Sequence, residues 1–243
     1  MPDFSDLKAA FVNCSLKKDP DQSHTGTLMS HAAAVMQAQG VTVDTIHALA
    51  HDIAFGMSPD MTEHGWAQDA WPSVYRRIIE ADILVLGTPI WLGVKSSVCT
   101  QIIERLYSNS TDQNAAGQYV YYGKVGGCLV TGNEDGVKAV GMEVLYALQH
   151  IGYCVPPQAD AGWIGEAGPG PSYGDSVDGS EVPAGFGNEF TNKNTTLMCW
   201  NLMHLARLLK DAGGFPVGGN RVDDWSEQDR WGYPLDAQGR PIG

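Results

Sequence analysis

The sequence predicts an α/β protein: a doubly wound, five-stranded parallel sheet in the order 2-1-3-4-5, with helices on both faces. Three observations carry that expectation. Short apolar runs alternate with stretches of helical period through the first two-thirds of the chain, as in a parallel sheet covered on both sides. The run Ile83-Leu84-Val85-Leu86 reads as a buried strand, and helical patterns stop at Gly40, Gly152 and Gly213-Gly214, where a glycine can close a helix.

The first strand is expected from Leu7 to Cys14, followed by a polar loop, Ser15 to His24. A helix from about Thr25 to Gln39 then places Leu28, Ala32, Val35 and Met36 on one face. Val41 to Ile46 alternates apolar and polar residues, as a half-exposed edge strand does. Residues 48–70 are turn-rich and long for a connection, as a lid, a subunit contact or, less often, a simply disordered stretch is. A helix near Trp71 to Ala81 leads into the third strand, Ile83 to Thr88, and a helix begins near Lys95 with Val98, Ile102 and Leu106 four apart. Val125 to Thr131 is the fourth strand, followed by a helix with Val137, Val140, Val144, Leu145 and Leu148 on its apolar side. Tyr153 to Pro156 is the expected fifth strand, with Pro156 and Pro157 at its end. Residues 165–188 are rich in Gly and Pro and show no period. The last helix, about Asn194 to Ala212, is apolar nearly all round and expected to be covered on most sides. The chain divides into one domain, 1–213, and an arm, 214–243, that keeps Trp225, Trp231 and Tyr233 among polar residues.

Composition narrows the partners. A formal net charge of −13 repels nucleic-acid backbones and anionic membranes, which leaves small molecules or proteins. The amino terminus is acidic, without a basic region followed by an apolar one, and no apolar run approaches spanning length, so a cytoplasmic protein is expected. Cys14, Cys99, Cys128, Cys154 and Cys199 are odd in number and scattered, as reduced buried thiols are. His47 and His51 share helical spacing beside Asp52, yet no third ligand is near and no metal site is expected.

Ligands of open α/β sheets bind outside the carboxyl ends of the strands, where strand order reverses, and three loops qualify. The first, Ser15 to Gly26, offers hydroxyls at Ser15, Ser23 and Thr25, the backbone N–H groups of a helix start, and Lys17 or Lys18 as countercharge to a phosphate. Alternatively, Ser23 is an ordinary helix cap and the lysines are solvated. The second, Gly87-Thr88-Pro89-Ile90-Trp91-Leu92-Gly93, leaves a buried strand in a direction restricted by Pro89 and carries a Trp that either walls a flat ligand or fills the core. The third, Thr131-Gly132-Asn133-Glu134-Asp135-Gly136, either caps a helix through Asn133 or presents hydrogen-bonding groups to a heterocycle. One phosphate site, a place for a flat ring and no dedicated acid–base pair together describe a mononucleotide cofactor that brings its own chemistry.

These motifs resemble the flavodoxin-like family of NADPH-dependent FMN reductases over roughly residues 7–165, through S-x-K…S-H-T, T-P-I-W-x-G and T-G-N-E. The resemblance implies that Ser15, Lys17, Ser23, His24 and Thr25 form the FMN phosphate loop. It implies further that Pro89, Ile90, Trp91, Leu92 and Gly93 wrap the isoalloxazine and that Thr131, Gly132, Asn133 and Glu134 line its other edge. A homodimer or homotetramer is implied as well. Flavodoxins resemble the chain in fold, but their phosphate loop is shorter, and iron–sulfur flavoproteins carry a cysteine cluster that residues 48–70 lack.

The expected activity is an FMN-dependent NAD(P)H oxidoreductase in which NADPH or NADH delivers hydride to the flavin, which passes it to a small acceptor such as a quinone. No side chain is expected to be catalytic, because flavin N5 carries the chemistry. Trp163 or Tyr173 would close the crevice. The alternative is a flavin-binding electron carrier without substrate turnover, docking a redox partner through its acidic surface.

Overall fold

The computed structural model describes residues 2–133, 135–168, 170–224 and 236–240. Its strands are β1 (Lys8–Asn13), β2 (Thr42–His47), β3 (Ile83–Trp91), β4 (Val94–Lys95), β5 (Val125–Gly132) and β6 (Asp160–Ile164). The helices are α1 (His24–Gln37), α2 (Trp71–Ile79), α3 (Ser97–Ser108), α4 (Val137–Ile151) and α5 (Glu189–Asp211). Five strands run parallel in the order β2-β1-β3-β5-β6, and β4 pairs antiparallel with the end of β3. With that short extra strand set aside, the order is the expected 2-1-3-4-5, and the fold is flavodoxin-like.

Strand alternation sorts the core into two layers. Ala10, Val12, Leu84 and Leu86 face α2, α3 and α4, where Trp71, Val74, Ile102, Leu106, Val144 and Leu148 are buried. Their neighbours Ala9, Phe11, Ile83 and Val85 face α1 and α5, against Leu28, Met29, Met36, Met198, Leu202 and Met203. A sheet covered this way has no solvent-facing side in its centre, so ligands are left its ends.

Three expectations are corrected. The third strand does not stop at Thr88 but continues to Trp91, because the residues after Pro89 fold back as the β3–β4 hairpin. The fifth parallel strand is not Tyr153–Pro156: Cys154 makes a single bridge to Val125, and the ladder resumes only at Asp160. Pro156 and Pro157 lack the N–H donors a continuous ladder needs, and Gln158, at φ 52°, turns the chain before the strand begins. Finally, α5 starts five residues earlier than expected, at Glu189, with Asn188 accepting the Thr191 N–H as its cap. It is buried along one stripe, Thr191, Thr195, Met198, Cys199, Leu202, Met203 and Ala206, while Phe190 and Leu208 are exposed.

Residues 48–70 are ordered by one buried carboxylate. Asp69 accepts the backbone N–H groups of Ala54, Met61 and Trp71 and a 2.6 Å hydrogen bond from Arg105 Nη2, and both side chains of that ion pair are fully buried. In the arm, Phe215 packs on Tyr122, whereas Trp225, Trp231 and Tyr233 lie outside the described residues.

Candidate cofactor site

The three loops converge at the carboxyl end of the sheet on one cleft of about 370 Å³. That volume suits a cofactor, since small-molecule sites run from roughly 300 to 1,000 Å³. Of the predicted residues, Ser15, Lys17, His24, Thr25, Pro89, Ile90, Trp91, Thr131, Gly132 and Asn133 line it. Ser23, Leu92 and Gly93 do not, and Glu134 lies outside the described residues.

Asn13, the last residue of β1, shapes the first loop. It is buried, accepts the Ser15 N–H at 3.0 Å and pairs with the Ser23 hydroxyl. Ser23 Oγ accepts the Gly26 N–H at 2.9 Å, so Ser23 caps α1 instead of facing the cleft. The N–H groups of His24 and Thr25, in the first turn of α1, find no protein acceptor among the described residues. Beside them stand the Ser15 and Thr25 hydroxyls and the Lys17 ammonium. That donor set fits a phosphate.

The second loop is the β3–β4 hairpin. Leu92 and Gly93, at φ 51° and 79°, make its two-residue turn, the geometry favoured where two right-twisted strands reverse. Trp91 is 55% exposed, so it flanks the cleft instead of filling the core. In the third loop, a Cβ on Gly132 would come within 2.9 Å of Ile90 Cβ, so only glycine lets the ends of β3 and β5 approach this closely. A 2.7 Å hydrogen bond between the hydroxyls of Thr25 and Thr131 joins the first and third loops.

Asn133 does not cap α4, which begins after Gly136 without a side-chain cap. Its amide donates instead to the carbonyls of Gly170 and Pro171, and its oxygen accepts from the Ser172 hydroxyl. The Gly/Pro-rich segment is thus drawn over the cleft. Gly168, Gly170, Ser172 and Tyr173 join Trp163 in the lining, and the Gly174 N–H donates to His24 Nδ1 at 3.1 Å.

Electrostatics favour an anion. Although the chain is strongly acidic, no Asp or Glu appears among the described lining residues, while Lys17 does. Burial, followed by the Lys17 charge, holds the His24 pKa below its ordinary value, and Asp175 partly opposes this. Cys14, just before the loop, is fully buried, and contact with Cys99 together with burial pushes its thiol well above its ordinary value. Among the described residues there is no group of three or more His, Cys, Asp and Glu that could hold a metal.

Several supporting residues escaped the sequence reading. His47 Nε2 lies 3.0 and 3.1 Å from the Lys17 and Lys18 carbonyls, so this nitrogen carries the proton and clamps the loop. The signal was register: His47 pairs with Asn13 at the ends of neighbouring strands. Asn13, Leu16, Gly168, Gly170 and Ser172 had no motif to mark them. A larger cavity, about 680 Å³, opens at the opposite end of the sheet between Tyr107, Tyr122, Tyr153 and Phe215, and contains none of the predicted residues.

The family model for NADPH-dependent FMN reductase matches residues 7–163. Over 210 residues the chain is 36% identical to 8-demethyl-8-aminoriboflavin-5'-phosphate synthase of Streptomyces davaonensis, covering 84% of this chain and 79% of that one. It is 59% identical over 209 residues to a Mycobacterium bovis protein named divalent metal cation transporter MntH, covering 86% of this chain but only 30% of that protein's length. The described residues contain no helix long and apolar enough to cross a membrane. Among solved structures, RosB with bound 8-demethyl-8-formylriboflavin-5'-phosphate matches with a TM-score of 0.75 at 36% identity, over 84% of this chain and 81% of that one. The chain belongs to the NADPH-dependent FMN reductase family.

Proposed function

We propose that the protein is an FMN-dependent NAD(P)H oxidoreductase that passes reducing equivalents from NADPH or NADH to a small acceptor such as a quinone. The carrying observation is the convergence of Lys17, the first turn of α1 and the Trp91 hairpin on one cleft without a carboxylate among its described lining. Bound FMN would supply hydride transfer at its N5. The protein's residues bind and orient. Lys17, Ser15, Thr25 and the N–H groups of α1 would hold the phosphate, Trp91 would flank the ring, and Thr131 and Gly132 would offer hydrogen bonds to its polar edge. Trp163 and Tyr173, both buried, would keep water from the inner wall.

A second reading is favoured by the 36% identity to a synthase named for a flavin phosphate: the cleft would act on the flavin itself. One experiment separates them. Purified protein is given FMN, NADPH or NADH, and a quinone, with absorbance followed and the flavin then analysed by mass. Oxidation of the nicotinamide with unchanged FMN is expected. A flavin altered in mass would favour the synthase reading, and FMN binding without nicotinamide oxidation would favour an electron carrier.

We also infer a homodimer or homotetramer. Trp91, Leu92 and Val94 on the hairpin and Met142 and Tyr146 on α4 are exposed, and the Lys95–Glu143 ion pair holds hairpin and helix side by side. Five unpaired cysteines agree with a cytoplasmic setting.

A further inference from the structure

We propose that residues 165–168 and 170–173 form a roof that gates the passage of the phosphorylated flavin, with Asn133 as its latch. The inference rests on the flavin reading of the cleft. It concerns a part of the chain beyond the family match, which ends at residue 163.

The two ends of the roof are fixed. At one, the Gly165 N–H donates to the Gly132 carbonyl at 2.8 Å, continuing the β5–β6 pairing. At the other, Tyr173 is fully buried, its hydroxyl 3.0 Å from His31 Nδ1 and its ring against Trp163 and Phe186. Its carbonyl accepts the Gly185 N–H at 2.9 Å.

The middle is built differently. Glu166, Ala167, Gly168 and Pro171 are exposed, and no described side chain between Gly165 and Ser172 is buried. Apolar packing therefore does not hold this stretch down. Gly165, Gly168 and Gly170 give its backbone freedom to move, and Gly168 sits at φ 94°. What bridges it to the sheet is the Asn133 side chain, with hydrogen bonds of 3.0, 3.0 and 3.3 Å to Gly170, Pro171 and Ser172.

Position gives the latch its function. Gly168, Gly170 and Ser172 line the same cleft as Lys17, His24 and Thr25, where a phosphate would sit. Just past the roof, the Gly174 N–H meets His24, closing the phosphate end from that side. Fixed at both ends, with no buried side chain among its described residues between them and the Asn133 amide bridging them to the loop after β5, the segment opens when that amide lets go. Release of the latch would then speed both entry and exit of the ligand.

That kinetic signature distinguishes a gate from a simple contact. FMN fluorescence is followed by stopped flow on mixing with the protein and on dilution of the complex, for the native chain, Asn133→Ala and Ser172→Ala. Loss of the latch is expected to raise association and dissociation rate constants together, by about tenfold for Asn133→Ala, as the loss of hydrogen bonds of ordinary net strength predicts. Ser172→Ala should move both rates in the same direction by less. A rise in dissociation alone would make Asn133 a plain flavin contact, and no change in either rate would make the roof irrelevant. Either result overturns the gate and leaves the flavin reading standing. A native chain that does not alter FMN fluorescence at all would overturn both.

Discussion

His24 shows how much a single side chain at this cleft is asked to do. Its Nδ1 accepts the Gly174 N–H, which requires that nitrogen to be unprotonated, while its Nε2 lies 3.4 Å from Asp175 Oδ1. Burial and the neighbouring Lys17 disfavour the imidazolium and lower its pKa below 6.5. In the unfolded chain the ring keeps its ordinary pKa, so the unfolded state takes up a proton first as pH falls. The neutral ring therefore contributes stability that is fully present above 6.5 and is lost as pH drops through the lowered value. Urea midpoints of the ligand-free protein should fall across that window, and less steeply for His24→Gln. Parallel pH profiles for the two proteins would show that His24 is not the group responsible.

Among the elements, the segment between β2 and α2 behaves least like the loop its composition suggests. Asp69 gathers three backbone N–H groups and Arg105 around one carboxylate, and Arg105 also donates to the carbonyls of Gly56 and Pro59. Asp69→Ala would leave a buried guanidinium uncompensated, at a loss of roughly 3–5 kcal/mol in stability. Urea unfolding measures it, and a loss of under about 1 kcal/mol would mean that the segment is not anchored there. Nothing in residues 48–70 announced this. The partner sits on α3, far along the chain, and sequence periodicity reports local faces only. For the same reason β1, β5 and α4 could be read within a residue or two, since their apolar residues repeat regularly, while β6 could not. Its Asp160-Ala161-Gly162-Trp163-Ile164 owes its place to pairing with β5 more than to its own composition.

For the whole molecule, the question is which surfaces are finished. A chain with a net charge of −13 repels its own copies, so self-association needs an apolar face to overcome that. Leu92 is 90% exposed in a left-handed turn conformation where Asn or Gly would be at ease, and Trp91, Val94, Met142 and Tyr146 surround the same region. Light scattering should give the mass of two or four chains, reduced by Leu92→Asn. A mass of one chain, 26.1 kDa, at micromolar concentration would end the inference. The cleft itself was legible because its loops follow strand ends in sequence, and strand order alone brings them together. The roof was not, since glycine and proline specify no period and its anchoring depends on Asn133, His24 and His31 from other loops and helices. Enclosure of Cys14 beside that cleft has a chemical consequence. Reduced flavins hand electrons to dioxygen and release peroxide, which attacks thiolates that are ionised and within reach. A thiol that is fully buried and held protonated, as Cys14 is, offers neither, so on the proposed flavin reading of the cleft the end of β1 would be spared oxidation by peroxide formed beside it.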